Sequence, residues 1–116
     1  MKKKISLIQM DVAFADPEKN YSHALELMEK AMLDQPDILV FPEAVNIGFF
    51  PKENLQELVD QDGEKTKQVF GAFAKENHVN IGAGSVLNAK EGHIFNTLYA
   101  FDRYGNVVCE YDKVHG

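Results

Sequence analysis

A carboxylate directly follows an apolar run in the first half of the chain. Glu43 ends the segment "ILVFPE" (residues 38–43), in which four apolar residues run into Pro42. A carboxylate at the mouth of a buried strand is partly desolvated, which raises its pKa and suits it to proton transfer as a general base. The alternative is a strand-end glutamate that turns into solvent or pairs with a lysine.

A lysine near the end of the sequence is the second residue that could take part in catalysis, as a positive charge at the end of a predicted strand. Lys113 follows the segment "VVCEY" and lies four residues beyond Cys109, so the two are in phase on a continuing strand. An ammonium group there can hold a developing oxyanion by charge and hydrogen bonding. The alternative is a solvated lysine in a tail. Cys109 is about 13 Å from Lys113 along such a strand, and we expect it to pack as a small apolar side chain rather than to act as a nucleophile.

The remaining candidates are weaker. Phe49 and Phe50 precede Pro51, where they either line a substrate pocket or simply pack. Asn96 and Thr97 are expected to satisfy backbone groups. The four histidines have no metal-ligand spacing, and the "IGAG" glycines lack the Gly-Lys-Ser/Thr ending of a phosphate loop. We therefore predict no metal site and no phosphate-binding loop.

The elements that must position these residues alternate between strand and helix. The predicted order β-α-β-α-β-β-β gives a mixed sheet with helices packed on it, an α/β (α+β) fold. The elements are a strand in "KISLIQMDV", a helix capped by Asp16 with a stripe from Tyr21 to Met32, a strand at 38–41, a short helix near 53–59, a helix from Thr66 to about His78, a strand "VNIGAGSVL", and a hairpin around Gly105. Gly82 and Gly84 are expected on one face of the "VNIGAGSVL" strand, marking the close approach of another chain segment.

The strand at 38–41 is apolar on both faces. Ile38 and Val40 fall on one face, which leaves the other face to Leu39 and Phe41. A strand of this kind needs cover on both sides, and helices can supply only one. We expect Leu39 and Phe41 to lack an obvious covering layer. Glu43 shares their face if the strand persists.

Composition limits the classes of function. The chain has 116 residues and is one domain at most, or part of a larger one. A net charge of −6 argues against a general nucleic-acid binder. No apolar stretch approaches the roughly 20 residues that span a membrane. The single cysteine excludes an intramolecular disulfide framework, and the lysine-rich start lacks a cleavage site, so we expect a cytoplasmic protein.

Taken together and in order, three segments resemble the N-terminal portion of the nitrilase superfamily of carbon–nitrogen hydrolases. They are "ILVFPEAVNIGFFP", "NIGAGSV" and "FNTLYAFDRYGNVVCEYDKVH". The resemblance implies an α-β-β-α sandwich and a Glu-Lys-Cys catalytic triad. It implies that Glu43 is the general base and that Lys113 stabilises the oxyanion. It also implies that the enzyme hydrolyses amide, nitrile or carbamoyl C–N bonds other than peptide bonds, without a metal or organic cofactor.

The family's third catalytic residue has no counterpart here. Its nucleophile is a cysteine on a strand-to-helix elbow downstream of the lysine, whereas this sequence stops three residues after Lys113. Gly116 also departs from the family, in which an apolar residue usually follows "KVH". Residues 1–116 are therefore expected to form a partial domain, roughly the N-terminal half of the sandwich. We expect the isolated chain to be inactive.

A second class of function remains open. The chain is either part of an enzyme acting on a small amide or nitrile, or a non-catalytic fragment that serves as a binding or assembly module. In the second case it would pair through an exposed sheet face. We expect either a homo-oligomer or pairing through that face. The sequence does not identify the substrate.

Overall fold

The computed structural model describes residues 3–10, 16–42 and 58–113. Glu43 and Phe49 lie outside the described residues, as does most of the short helix predicted near residues 53–59. The structural statements that follow concern the described residues.

Helix α1 spans Pro17–Ala31 and begins as the sequence predicts. The Asp16 carboxylate accepts a hydrogen bond from the Lys19 N–H at 3.2 Å, and Pro17 occupies the first turn, where its missing N–H is not needed. Its inner stripe of Tyr21, Ala24 and Met28 is buried. A single 3₁₀ turn, Met32–Asp34, follows it.

The second helical segment is continuous but changes its winding. It consists of α2 (Glu64–Thr66), a π-helical stretch (Lys67–Gly71) and α3 (Ala72–Asn77). Asp60 caps its start, because its carboxylate accepts the backbone N–H groups of Lys65 at 3.0 Å and Thr66 at 2.9 Å. It ends at His78, in the left-handed conformation at φ 51°, where the sequence places the end.

The strands form one mixed sheet, as predicted. They are β1 (Ile5–Leu7), β2 (Ile38–Val40), β3 (Asp60–Gln61), β4 (Asn80–Lys90), β5 (His93–Phe101) and β6 (Val107–Lys113). The order is β1-β2-β4-β5-β6, with β3 beside the far end of β4. The pairs β1–β2, β2–β4 and β3–β4 are parallel, and β4–β5 and β5–β6 are antiparallel. The sequence does not predict β3, since two residues show no alternation.

Tight turns connect the strands of both hairpins, β4–β5 and β5–β6. In the predicted β5–β6 turn, the Asp102 carboxylate accepts the backbone N–H groups of Tyr104 and Asn106, both at 2.9 Å. The hydrogen bond from Asn106, together with that from Tyr104, lowers the pKa of Asp102 although desolvation opposes them. The sequence analysis does not predict the β4–β5 turn. It has Glu91 at φ 49° and Gly92 at φ 82°, the positive angles of a two-residue hairpin turn.

The helices cover the face of the sheet that carries Leu39 and Phe41. We expected this face to lack cover. Leu39 is 0% exposed and Phe41 5% exposed, in a core with Met28, Phe70 and Phe101. The expectation that Leu39 and Phe41 lack cover is therefore wrong. Alternation along a strand separates its two faces but does not tell which of them the helices pack on.

The other face, here called the open face, carries no helix among the described residues. By strand register and alternation it comprises Ile5, Leu7, Ile38, Val40, Leu98, Ala100, Cys109, Tyr111 and Lys113. Leu7 is 75% exposed and Tyr111 60% exposed. At the far end of the same face, Leu87 and Ala89 are buried in a small cluster with Val59.

A β-bulge in β4 fixes the exit of β2. The register shifts between Gly82 and Gly84, and Gly84 has φ +71°. A Cβ atom at Gly84 would lie 1.9 Å from the carbonyl oxygen of Pro42, which confirms the predicted close approach. The prediction that both glycines share a face is wrong. Gly82 pairs with Ala100 and Gly84 with Tyr99, which are successive residues of β5 and point to opposite sides.

Candidate functional site

The end of β2 is held against the bulge of β4. The Phe41 N–H donates to the Gly82 carbonyl at 2.8 Å, and the Pro42 carbonyl packs on Gly84. Glu43 is the next residue and lies outside the described residues. Because β2 ends at Val40, the strand alternation that we used to assign a face to Glu43 is not shown to reach it.

Lys113 is the last residue of β6 and lies on the open face. Its Cα partner across the ladder is Asn96, and that of Cys109 is Ala100, so the predicted phase between Lys113 and Cys109 is confirmed. Strand β6 is antiparallel to β5, which is antiparallel to β4, so β6 runs parallel to β2. The carboxyl ends of β2 and β6 therefore point to the same edge of the sheet. Glu43 follows one of these ends and Lys113 forms the other.

Asn96 is a buried polar residue that we expected, from the sequence, to bond backbone groups. It is 9% exposed, and its Oδ1 atom is buried with no hydrogen-bond partner in the part of the chain that the structure describes. Thr97, which is fully buried, donates its hydroxyl to the Asp112 carboxylate at 2.8 Å. The structure gives neither side chain a backbone partner among the described residues, so the expectation that they satisfy backbone groups is wrong there.

A charged cluster on the helix-bearing face fastens β6 to β4 across β5. The Lys90 ammonium contacts both Asp112 oxygens, at 3.0 and 3.1 Å, and also bonds Glu110. Burial alone would lower the pKa of Lys90, but its bonds to Glu110 and Asp112 raise it above its usual value. Burial would raise the pKa of Asp112, but bonds from Lys90 and Thr97 lower it overall. The cluster fixes the strand whose next residue is Lys113.

A second polar group joins the start of the second helical segment to the sheet. The Asn88 side chain accepts the Gly63 N–H at 2.9 Å and donates to the Tyr99 hydroxyl at 3.0 Å. Burial is the main factor that raises the pKa of Tyr99 to about 12. These groups satisfy one another, and we assign them a structural role.

Cys109 is half-buried on the open face. We expected it to pack in the core as a small apolar side chain. Strand β6 instead lies at the edge of the described sheet, and no helix of the described residues covers its open face. Cys109 and Lys113 remain four residues apart along β6, too far along a strand for direct cooperation.

One cleft among the described residues lies away from Lys113. A cleft of about 310 Å³ opens between α1 and α2 and is lined in part by Tyr21, Asp60 and Lys65. Tyr21 belongs to the helix-side core, so this cleft is on the side of the sheet away from Lys113. Among the described helices, none has the length and apolar character needed to cross a membrane.

Comparison with known protein families decides the classification. The model of a family described as carbon-nitrogen hydrolase matches residues 4–115. The chain belongs to the carbon-nitrogen hydrolase family. The resemblance to the nitrilase superfamily inferred from the sequence motifs is thereby confirmed.

Relatives of this carbon-nitrogen hydrolase chain include named amidases. The chain is 36% identical over 115 residues to the 2-oxoglutaramate amidase of Bacillus subtilis, covering 99% of this chain and 44% of that protein. It is 26% identical over 119 residues to the omega-amidase NIT3 of Saccharomyces cerevisiae, covering 97% of this chain and 41% of that protein. The chain thus spans less than half the length of these relatives.

Solved structures agree on the fold. A carbon-nitrogen hydrolase superfamily protein from Xanthomonas campestris, solved with an arsenic adduct in its active site, superposes with a TM-score of 0.82 and 28% identity. The match covers 99% of this chain and 42% of that one. The mixed sheet with helices on one face therefore corresponds to part of a nitrilase-type fold.

Proposed function

We propose that this chain is the amino-terminal part of an amidase that hydrolyses small, non-peptide amides. Glu43 acts as the general base and Lys113 stabilises the oxyanion, while the nucleophilic cysteine comes from a segment beyond these 116 residues. The observation that carries the proposal is the parallel course of β2 and β6. Glu43 follows β2 in the sequence and Lys113 ends β6, so the shared direction of these two strands supports a common site for both residues.

The chemistry follows from these roles. Glu43 takes the thiol proton as the cysteine sulfur attacks the amide carbon, and the Lys113 ammonium bonds the oxygen that becomes negative. Glu43 returns the proton to the leaving nitrogen, so ammonia departs and a thioester remains. Glu43 then takes a proton from water, whose oxygen attacks the thioester. The carboxylic acid is released and the thiol is regenerated.

We propose amides, rather than nitriles or carbamoyl compounds, as the substrates because two relatives are named amidases. The Bacillus subtilis and Saccharomyces cerevisiae proteins are both named amidases. We propose Phe49, close to Glu43 in sequence, as a substrate-pocket residue, and we expect the enzyme to work in the cytoplasm without a cofactor.

Residues 1–116 are proposed to form a partial domain. The chain spans 44% of the Bacillus relative, and its open face carries exposed apolar side chains such as Leu7. A second sheet packed there would complete the four-layer sandwich that the family resemblance implies. Covering that face would also remove an apolar surface that is unusual on a monomer.

The test uses a completed enzyme, defined as these 116 residues joined to the part of the Bacillus amidase that follows the matched region. Ammonia release is measured on a panel of small amides. Glu43→Gln and Lys113→Met should each lower kcat by roughly 10²-fold or more with unchanged thermal unfolding, since each removes one catalytic group. Glu91→Gln, in the β4–β5 turn, and the exposed Lys75→Met are the matched controls. Near-normal turnover with Gln at 43 or Met at 113 refutes the assignment.

A second candidate is assembly without catalysis. The exposed open-face residues Ile5, Leu7 and Tyr111 favour it, because two copies that pair through this face would shield them from water. In that case a completed enzyme would show no turnover, while the chain alone would form a stable dimer.

A further inference from the structure

One lysine connects two strands that are not neighbours in the sheet. Lys90 is the last residue of β4, and β5 lies between β4 and β6. Its ammonium bonds Glu110 of β6 and contacts both oxygens of Asp112, at 3.0 and 3.1 Å. Strands two positions apart are about 10 Å from each other, too far for backbone hydrogen bonds. Lys90 therefore supplies a connection that the backbone ladders do not.

The Asp112 carboxylate is also bonded to the strand in between. Thr97 of β5 is fully buried and donates its hydroxyl to Asp112 at 2.8 Å. Asp112 thus accepts hydrogen bonds from both β4 and β5. The side chain of Lys90 is only 19% exposed, so water and salt screen this network less than they screen an ion pair in open solvent. The two carboxylates of β6 are held on the helix-bearing face.

The network lies where β6 has the least support from its backbone. Strand β6 is the last in the order of the described sheet, so β5 alone pairs with it there. It ends at Lys113, opposite Asn96, whereas β5 extends further, to His93. Strand ends open locally at little cost in free energy when few contacts hold them. The bonds from Lys90 and Thr97 hold the residue directly before Lys113.

We infer that Lys90 is a positioning residue, whose bonds to β6 hold the end of that strand so that Lys113 points into the open face. The inference deepens the proposed function, in which Lys113 stabilises the oxyanion, and rests on it. Successive strand residues point to opposite faces, so anchoring Asp112 on the helix-bearing face directs Lys113 to the other. A slip of one residue would reverse both directions. The effect acts through the backbone at 112–113 and does not depend on which group the Lys113 ammonium contacts.

The first test measures local opening in the 116-residue chain by amide hydrogen exchange. Lys90→Met keeps the aliphatic stem and removes the charge. Exchange at residues 110–113 should rise about tenfold, and by at most about twofold in α1, since the bonds of Lys90 reach only β6. Lys75→Met, at an exposed position of α3, is the matched control and should change neither. Unchanged exchange at 110–113, or a rise in α1 of the same size, would overturn the inference.

The second test measures turnover in the completed enzyme. Lys90→Met should lower kcat about tenfold and leave KM unchanged, because a small misplacement of a catalytic group slows the chemical step. Lys90→Arg keeps the charge and should recover most of kcat. A purely structural lysine would change the amount of folded enzyme but not kcat per folded molecule. Unchanged kcat in Lys90→Met, or equal losses in Lys90→Met and Lys90→Arg, would refute the inference.

Combined variants distinguish failure of the inference from failure of the proposed function. If Lys90 acts through Lys113, the double variant Lys90→Met/Lys113→Met should be no slower than Lys113→Met alone. A further loss of about tenfold in the double variant would overturn the inference while the proposed function stands. If Lys113→Met lowers kcat and Lys90→Met does not, only the inference fails. If Lys113→Met leaves turnover intact, the proposed function fails, and the inference fails with it.

Discussion

Gly84→Ala would insert a methyl group where β4 meets the exit of β2. Gly84 has φ +71°, and its Cβ would lie 1.9 Å from the Pro42 carbonyl oxygen and 2.8 Å from that of Phe41. Both obstacles are backbone atoms, which cannot rotate away as a side chain can. The chain at 41–42 or the bulge itself must therefore shift.

The expected loss has two parts. The left-handed conformation costs an alanine about 1–2 kcal/mol, and inserting a methyl group into a packed site costs about 1–3 kcal/mol. The free energy of unfolding should fall by roughly 2–5 kcal/mol, a large share of the roughly 5–15 kcal/mol that holds a typical domain. Urea unfolding followed by circular dichroism measures this loss.

Substitutions at two other glycines separate the conformational loss from the steric loss. Gly92 has φ +82°, and a methyl group there would meet nothing within 4 Å, so Gly92→Ala should show only the conformational loss of about 1–2 kcal/mol. Gly82 lacks the positive φ, and its nearest contact is an ordinary 3.9 Å, so Gly82→Ala should be nearly neutral. If Gly84→Ala costs no more than Gly92→Ala, the backbone contact with Pro42 does not constrain the chain and the reasoning is wrong.

Two more predictions follow from the same structure. Hydrogen bonds lower the pKa of Asp112, so the ionised carboxylate stabilises the fold above its unfolded pKa of about 3.9. That contribution is lost as the pH falls through the lower pKa of the folded state. In thermal melts, the wild type should therefore lose stability faster below about pH 4 than Asp112→Asn does. The open face should make the chain self-associate in light scattering and bind a dye for apolar surfaces, and Leu7→Glu combined with Tyr111→Glu should reduce both; a wild-type chain that is a compact monomer without dye binding contradicts the open-face description.

Local signals in the sequence predicted α1, the second helical segment and the β5–β6 hairpin. The Asp16–Pro17 start of α1 and the turn at Gly105 depend on neighbouring residues, which a sequence displays directly. The two-residue strand β3 depends on pairing with Asn88 and Ala89, far away in the chain. For the same reason the sequence could not tell which face of β2 the helices cover.

The candidate site was predictable only in part. The shared face of Cys109 and Lys113 follows from strand alternation alone. Extending that alternation from Leu39 to Glu43 was unsafe, because β2 ends at Val40 and no sequence pattern shows how the bulge at Gly84 meets the chain at Pro42. Asn96 was assigned a wrong role, because residue type does not reveal whether a buried side chain has found a partner.

The most direct test of the proposed function is to locate the covalent intermediate. The completed enzyme is treated with a thiol-reactive amide analogue, and the adduct is mapped by mass spectrometry beside Glu43→Gln and Cys109→Ser variants. We predict an adduct on a cysteine outside these 116 residues, strongly reduced in Glu43→Gln and unchanged in Cys109→Ser, and no amide hydrolysis by the 116-residue chain alone. An adduct on Cys109, or turnover by the chain alone that disappears in Cys109→Ser, would contradict the account.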